Sequence, residues 1–350
     1  MTDQRIRGLL FEKIDDDLEK FIVRKFGSVN VQISKDKQDQ LLIEFEDQVI
    51  SDSLKNLYNV YPEFYAAHSR NQNTICKEFD HSFRYFFAYL NCVDHIFENA
   101  RNFLMTNQLP SNYNLTLPHY GILVRLADQI GVLLMNGYPD GALRIWRSFY
   151  EFSMTTLLFL KAIDNDSIHK DFFDHFHRSK QKKAESHQKH HTALNFPSLD
   201  EELLNSIAKE TRDLNTTHGT KFLDNDFGWC NRLLGSKKKV TLRDIEEYVG
   251  VNKFRPFYIW ASGYTHPGFE AMTDFIEEDS QKIVLNKINR QTLNKTSFID
   301  PMQLTVALFH EVNNVFIDIY SANSEKDINV RILKEVFVAL LKSFDELPKE

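Results

Sequence analysis

Asn136-Gly137-Tyr138-Pro139-Asp140-Gly141 is the clearest turn in the chain, and Ala142-Leu143-Arg144-Ile145-Trp146-Arg147-Ser148-Phe149-Tyr150-Glu151-Phe152 follows it directly. Glycine and proline beside Asn and Asp break one element, so a helix is expected to begin just after Gly141. Leu143, Trp146, Phe149, Phe152, Met154, Leu157, Leu158 and Leu160 leave that helix almost no polar side. A helix apolar on nearly every side is a buried one. Arg144, Arg147 and Glu151 nevertheless fall at i, i+3 and i+7, which makes them a single polar stripe. Buried charge is costly unless it is paired. The stripe therefore predicts either an ion-pair network tying helices together or the lining of a polar pocket.

The same period governs the C-terminal region. Leu304, Leu308, Val312, Val315, Phe316 and Ile319 share one face, as do Leu333, Val336, Phe337, Leu340, Leu341 and Phe344. Ser198 with Glu201, and Thr241 with Asp244, have the spacing of capping boxes and mark helix starts. The pattern predicts helices over 3–26, 38–60, 62–77, 79–107, 119–135, 141–163, 166–191, 198–215, 242–249, 254–265, 301–321 and 328–346. Segment 28–34 alternates like a short strand and could pair as an edge hairpin with Leu41 to Phe45. No βα alternation and no internal repeat is present, which argues against a parallel sheet and a solenoid. The expected fold is all-α, with a helical core at 116–350, an N-terminal helical subdomain at 1–115, and linkers near 107–118 and 192–197.

Composition narrows the class of protein. With 42% hydrophobic and 26% charged residues, a disordered chain, a collagen and a coiled-coil rod are all excluded. Only 12 Gly and 9 Pro disfavour a many-turned β-sandwich, and 29 Phe predict an aromatic core. The net charge of −7 provides no global basic field, so contact with nucleic acid should be local and weak. Cys76, Cys92 and Cys230 are odd in number and far apart, as reduced thiols of a cytoplasmic protein would be. The start of the chain lacks a signal-like apolar core, and neither 120–135 nor 152–160 is long enough to span a bilayer, so no membrane role is expected.

Three further constellations carry chemistry. In Trp260-Ala-Ser262-Gly-Tyr264-Thr-His266-Pro267, Ser262 and His266 lie at i, i+4 on a helix that Pro267 must end. His266 is thus either a helix-terminal cap or a site histidine whose charged form the helix dipole favours. His169, His175, His177, His187, His190 and His191 interleave with Arg178, Lys180, Lys182, Lys183 and Lys189. That run reads first as a solvated basic helix, next as a phosphate- or RNA-facing surface, and last as a metal site. Arg212-Asp-Leu-Asn-Thr-Thr-His218 resembles the arginine-to-histidine motif of the HEPN ribonucleases, which mostly act as dimers. A chain of this composition yields about two such spacings by chance, so Arg212 and His218 are not expected to be a catalytic pair.

Taken in order, the motifs resemble a known family. The Arg147-x-x-x-Glu151 helix, the Phe172/Phe173 to Lys183 basic helix, Phe227-Gly-Trp229, Thr241 to Val251, and the ending Tyr258…Ser262…His266-Pro267 are similar to domain-of-unknown-function family 5677. That is a bacterial and phage-associated group of helical proteins, and the likeness runs over about 120–270. Gly268 stands where the resemblance would place a small hydroxyl residue. The resemblance implies a helical fold and site positions but no reaction.

The candidate site is Arg147, Glu151 and His266 as catalytic or central groups, with Arg144, Tyr258, Ser262, Arg178, Lys182 and Lys183 as binding groups. The sequence assigns no metal and leaves the cofactor unknown. A homodimer and a weak nucleic-acid contact are compatible with it. A binding, sensor or adaptor module with a polar pocket inside the bundle is the expected function. The alternative is a HEPN-like ribonuclease or other phosphodiester or nucleotide hydrolase of toxin or antiviral type. There Arg147 would hold phosphate and His266 would move the proton.

Overall fold

A computed structural model describes residues 20–25, 34–35, 37, 40–41, 43–45, 47–48, 66, 68–107, 111–235, 239–266, 276–279, 282–285, 296–320 and 328–345. The chain divides into two compact units, 1–78 and 79–350. In the first, Phe21 and Phe45 are buried with their rings 5.5 Å apart. Leu41 and Ile43 to Phe45 are helical, so the strand expected there does not form; segment 28–33 lies outside the described residues.

The second unit contains α1 (Asp80–Asn107), α2 (Ser111–Met135), α3 (Pro139–Lys161), α4 (Asp166–His190), α5 (Glu201–His218) and the short α6 (Lys221–Asp224). They are followed by α7 (Leu242–Val249), α8 (Arg255–Thr265), α9 (Thr296–Tyr320) and α10 (Ile328–Asp345). A hairpin does occur, but at Ile276–Asp279 with Lys282–Leu285, antiparallel with Ile276 opposite Leu285. The described residues are otherwise overwhelmingly helical, and no helix among them is long and apolar enough to cross a membrane. Helix α1, expected with the N-terminal subdomain, belongs to this second unit, where it packs on α2, α9 and α10.

Helix α3 sits at the centre, packed by α2, α7, α8 and α9. Its Leu143, Trp146, Phe149, Tyr150 and Leu157 to Leu160 are buried, as the all-round apolar pattern requires. The core is aromatic: Tyr120 stacks on Phe316 at 3.8 Å, and Phe149 meets Phe309 edge-on at 5.4 Å. One polar group stands inside it. Asn313 of α9 donates to the Tyr89 hydroxyl at 2.8 Å and accepts from the Tyr120 hydroxyl, so three buried polar side chains satisfy one another.

Two helices start earlier than prolines suggest. Helix α2 carries Pro118 inside it, although the sequence pattern starts it at 119. The Tyr320 hydroxyl donates to the Tyr113 carbonyl at 2.8 Å and Thr116 is buried, so docking of the first turns on α9 outweighs the missing backbone donor. Helix α9 likewise runs through Pro301, with Phe298 stacked on Phe79 at 5.0 Å. Helix α5 is capped by Asp200, whose side chain accepts from the Glu202 N–H at 2.7 Å, rather than by Ser198. It continues to His218 and stops at Gly219, whose φ of 85° is left-handed. The helix predicted over 198–215 thus runs one turn further than the sequence pattern places it. The Thr241 box at α7 forms as expected: the Asp244 carboxylate accepts from the Thr241 N–H and hydroxyl, both at 2.7 Å.

Candidate functional site

The stripe on α3 meets α8. Arg147 Nε donates to the Ser262 hydroxyl at 3.1 Å, and its Nη2 donates to the Tyr258 phenol at 3.2 Å and pairs with Glu151 at 3.0 Å. The Tyr258 hydroxyl in turn donates to Glu151 at 2.8 Å. Burial, then the bond to Glu151, raise the Tyr258 pKa and keep the phenol neutral. Arg144 donates to the Tyr264 carbonyl at 2.7 Å and pairs with Asp140 at 3.2 Å. The stripe is not enclosed in the bundle: the Arg147 and Glu151 side chains are 25% and 40% exposed. It is a clamp at the edge of the α3–α8 contact, and its members use one another as partners.

His266 is not part of the clamp. It is exposed at the C-terminal cap of α8, its backbone N–H donating to the Ser262 carbonyl at 3.2 Å. Among the described residues no contact joins its ring to Arg147 or Glu151. The helix turns Tyr258 and Ser262 toward Arg147 one turn apart, and His266 lies past the last turn of α8. The sequence reading also missed a deeper pair: Arg255 donates twice to Glu246, at 2.9 and 2.7 Å, and Glu246 is fully buried. Tyr150, stacked on Tyr258 at 4.8 Å, has its pKa raised by burial and by Glu246. The available signal was that Glu246 lies between Ile245 and Val249 on the apolar side of α7.

Histidines of α4 engage separate partners, and His177 Nδ1 also lies 3.0 Å from Glu210. His175 Nε2 bonds the Asn225 carbonyl at 2.7 Å, His177 Nε2 bonds the Thr211 hydroxyl at 2.8 Å, and His187 Nε2 bonds the Pro197 carbonyl at 3.0 Å. Among the described residues no group of three or more His, Cys, Asp or Glu is placed to hold a metal. His218 is enclosed by acids: Nε2 lies 2.8 Å from Asp174 and Nδ1 3.8 Å from Asp171, and its ring stacks on Phe222 at 4.1 Å. Asp171 also receives Arg232 in a fork at 3.0 and 2.6 Å. Burial raises the Asp171 pKa, against the lowering effect of Arg232. With a carboxylate at each ring nitrogen, His218 ties α4 to the end of α5; Arg212 is exposed on the same helix.

A cavity of about 350 Å³ opens beside α4, lined by Phe172, Phe176, Arg178, Lys182, Lys183 and Trp229, with His175, Ser179 and Asp226 completing the wall. Residues 172, 175, 176, 179, 182 and 183 recur at helical spacing and so present one face. Trp229 forms part of the wall from a turn that requires Gly228, because a Cβ there would lie 1.9 Å from the Phe222 carbonyl oxygen. Phe172 meets Trp229 edge-on at 5.0 Å. Arg178 is anchored to the Leu223 carbonyl and Asp226, both at 2.5 Å. Lys182 is 60% exposed and 3.8 Å from Asp226, and Lys183 is exposed. Three cations therefore face one carboxylate. Lys237 and Lys238, which with Lys239 form a further run of lysines in the sequence, lie outside the described residues.

Fold and sites together define an all-α protein with a helix-to-helix polar clamp and a separate cationic, aromatic cavity. Residues 113–283 match the model of the Family of unknown function (DUF5677). The match contains both the clamp and the cavity. No curated protein and no solved structure matches the chain.

Proposed function

We propose that this protein is a binding module whose ligand site is the cavity on α4 and whose ligand carries an anionic, phosphate-like group. The excess of Arg178, Lys182 and Lys183 over Asp226 in a concave, aromatic-walled site is the observation that supports this reading. Concave sites of a few hundred Å³ with a few convergent polar groups are the usual form of small-ligand pockets. In the clamp, by contrast, each charge is matched by its neighbours. The hydrolase reading assigns the proton to His266, whose ring has no contact with Arg147 among the described residues, while Glu151 and Tyr258 are engaged with Arg147 and with each other. The three cysteines form no disulfide, which fits the cytoplasmic setting included in this proposal.

The test is calorimetric titration with pyrophosphate. Saturable binding that weakens at least tenfold in the Lys182→Glu/Lys183→Glu variant supports the reading. Absence of saturable binding, or equal binding by that variant, overturns it.

A further inference from the structure

Resting on that reading, we infer that the α4 cavity takes a nucleotide, with the base against Phe176 and the phosphate on Lys182 and Lys183. Phe176 is a large apolar ring left 66% exposed on the cavity wall, whereas most aromatic side chains among the described residues are packed. It lacks the ring partners that engage Phe172, which packs against Phe159, Phe173, His119 and Trp229. An exposed aromatic face beside cations is how proteins hold a base and its phosphate together, because every base has a π-face to stack. The spacing fits. Lys182 and Lys183 lie six and seven residues after Phe176, about 9–10 Å along the axis. All three side chains tilt the same way along the helix, so that offset is kept, and the flexible lysine stems span what remains between a stacked base and its phosphate.

The wall also accounts for selectivity. The ring of His175 is half-buried, and burial pushes its pKa down, so this imidazole is held toward its neutral form. The charge available to a phosphate therefore comes from the lysines, with Arg178 fixed behind them by Leu223 and Asp226. Ser179 lies on the same wall, between the ring and the lysines, within the span of a ribose. Stacking reads the π-face and not the base edge, so adenine and guanine should be held alike, with pyrimidines weaker.

Calorimetry or fluorescence with AMP, ribose 5-phosphate, inorganic phosphate and single-stranded tetra-adenylate tests this on the full chain. AMP should bind at least tenfold more tightly than ribose 5-phosphate. Phe176→Ala should abolish that gain, and its exposed position means the fold should persist, as a thermal melt will verify. Equal affinity for AMP and tetra-adenylate assigns a free nucleotide; tetra-adenylate at least tenfold tighter assigns the end of a strand. Pyrophosphate binding with no AMP advantage over ribose 5-phosphate refutes the nucleotide while the anion site stands. Concentration-dependent dimerisation lost in Phe176→Ala, without an AMP advantage, also refutes it and makes this face a contact between copies.

Discussion

Arg147 and Tyr258 are coupled twice: the guanidinium donates to the phenol oxygen at 3.2 Å, and its carbon lies 5.4 Å from the ring centroid. A hydrogen bond and a cation–π contact in one pair fix the angle at which α8 crosses α3. Because Glu151 accepts from both, removing any one member leaves the other two still partnered and partly hydrated.

Glu151→Ala should therefore cost about 1 kcal/mol, since the pair is half-exposed and its replacement by water is cheap. A buried, unpaired arginine would instead cost about 3–5 kcal/mol. Urea unfolding decides between them, and a loss above about 3 kcal/mol would mean that the clamp is closed to solvent.

Asn313→Leu should be far more damaging than its size suggests. It removes the shared partner of the Tyr89 and Tyr120 hydroxyls, both fully buried. Each stranded hydroxyl costs about 1–3 kcal/mol, so a loss of about 2–6 kcal/mol is expected in urea melts. The double change Tyr89→Phe with Asn313→Leu should recover part of it.

Gly228→Ala should disrupt the turn that carries Trp229. The added Cβ meets backbone at 1.9 Å, which no side-chain rotation relieves. A loss of about 3 kcal/mol is expected, together with loss of pyrophosphate binding. Retention of both by the variant would show that the turn relaxes.

Acid should weaken the fold through His169, His175 and His310. Burial lowers the pKa of each below the ordinary 6.5, so each is disfavoured as a cation in the folded state. Their contribution is fully present above 6.5 and is lost as pH falls below it toward the folded values. Thermal melts from pH 7 to pH 5 should show falling stability. His310→Phe, whose ring can keep the 4.0 Å stack on Phe337, should flatten the slope. An unchanged slope would remove His310 from the account.

The fold was legible where apolar period and turn chemistry agreed. The Asn136 to Gly141 turn and the all-round apolar α3 predict a central helix, and α3 is central. Pro118 and Pro301 misled the boundaries because docking against Tyr320 and Phe79 is a tertiary effect that local propensity does not contain. Tyr258 and Ser262 were readable as partners of Arg147 from their one-turn spacing. His266 was not, because a cap residue has left the helical period that spacing arguments rely on. The cavity needed Trp229 and Asp226 brought to α4 by the short α6 turn, a juxtaposition that no spacing encodes.

The most direct test of the ligand site is a pyrophosphate titration of ¹⁵N-labelled protein, followed by amide chemical shifts. Saturable shifts centred on residues 172–183 and 226–229, absent from Lys182→Glu/Lys183→Glu, are predicted. Shifts centred instead on Arg147, Glu151 and Tyr258, or no saturable shift at all, would contradict the account.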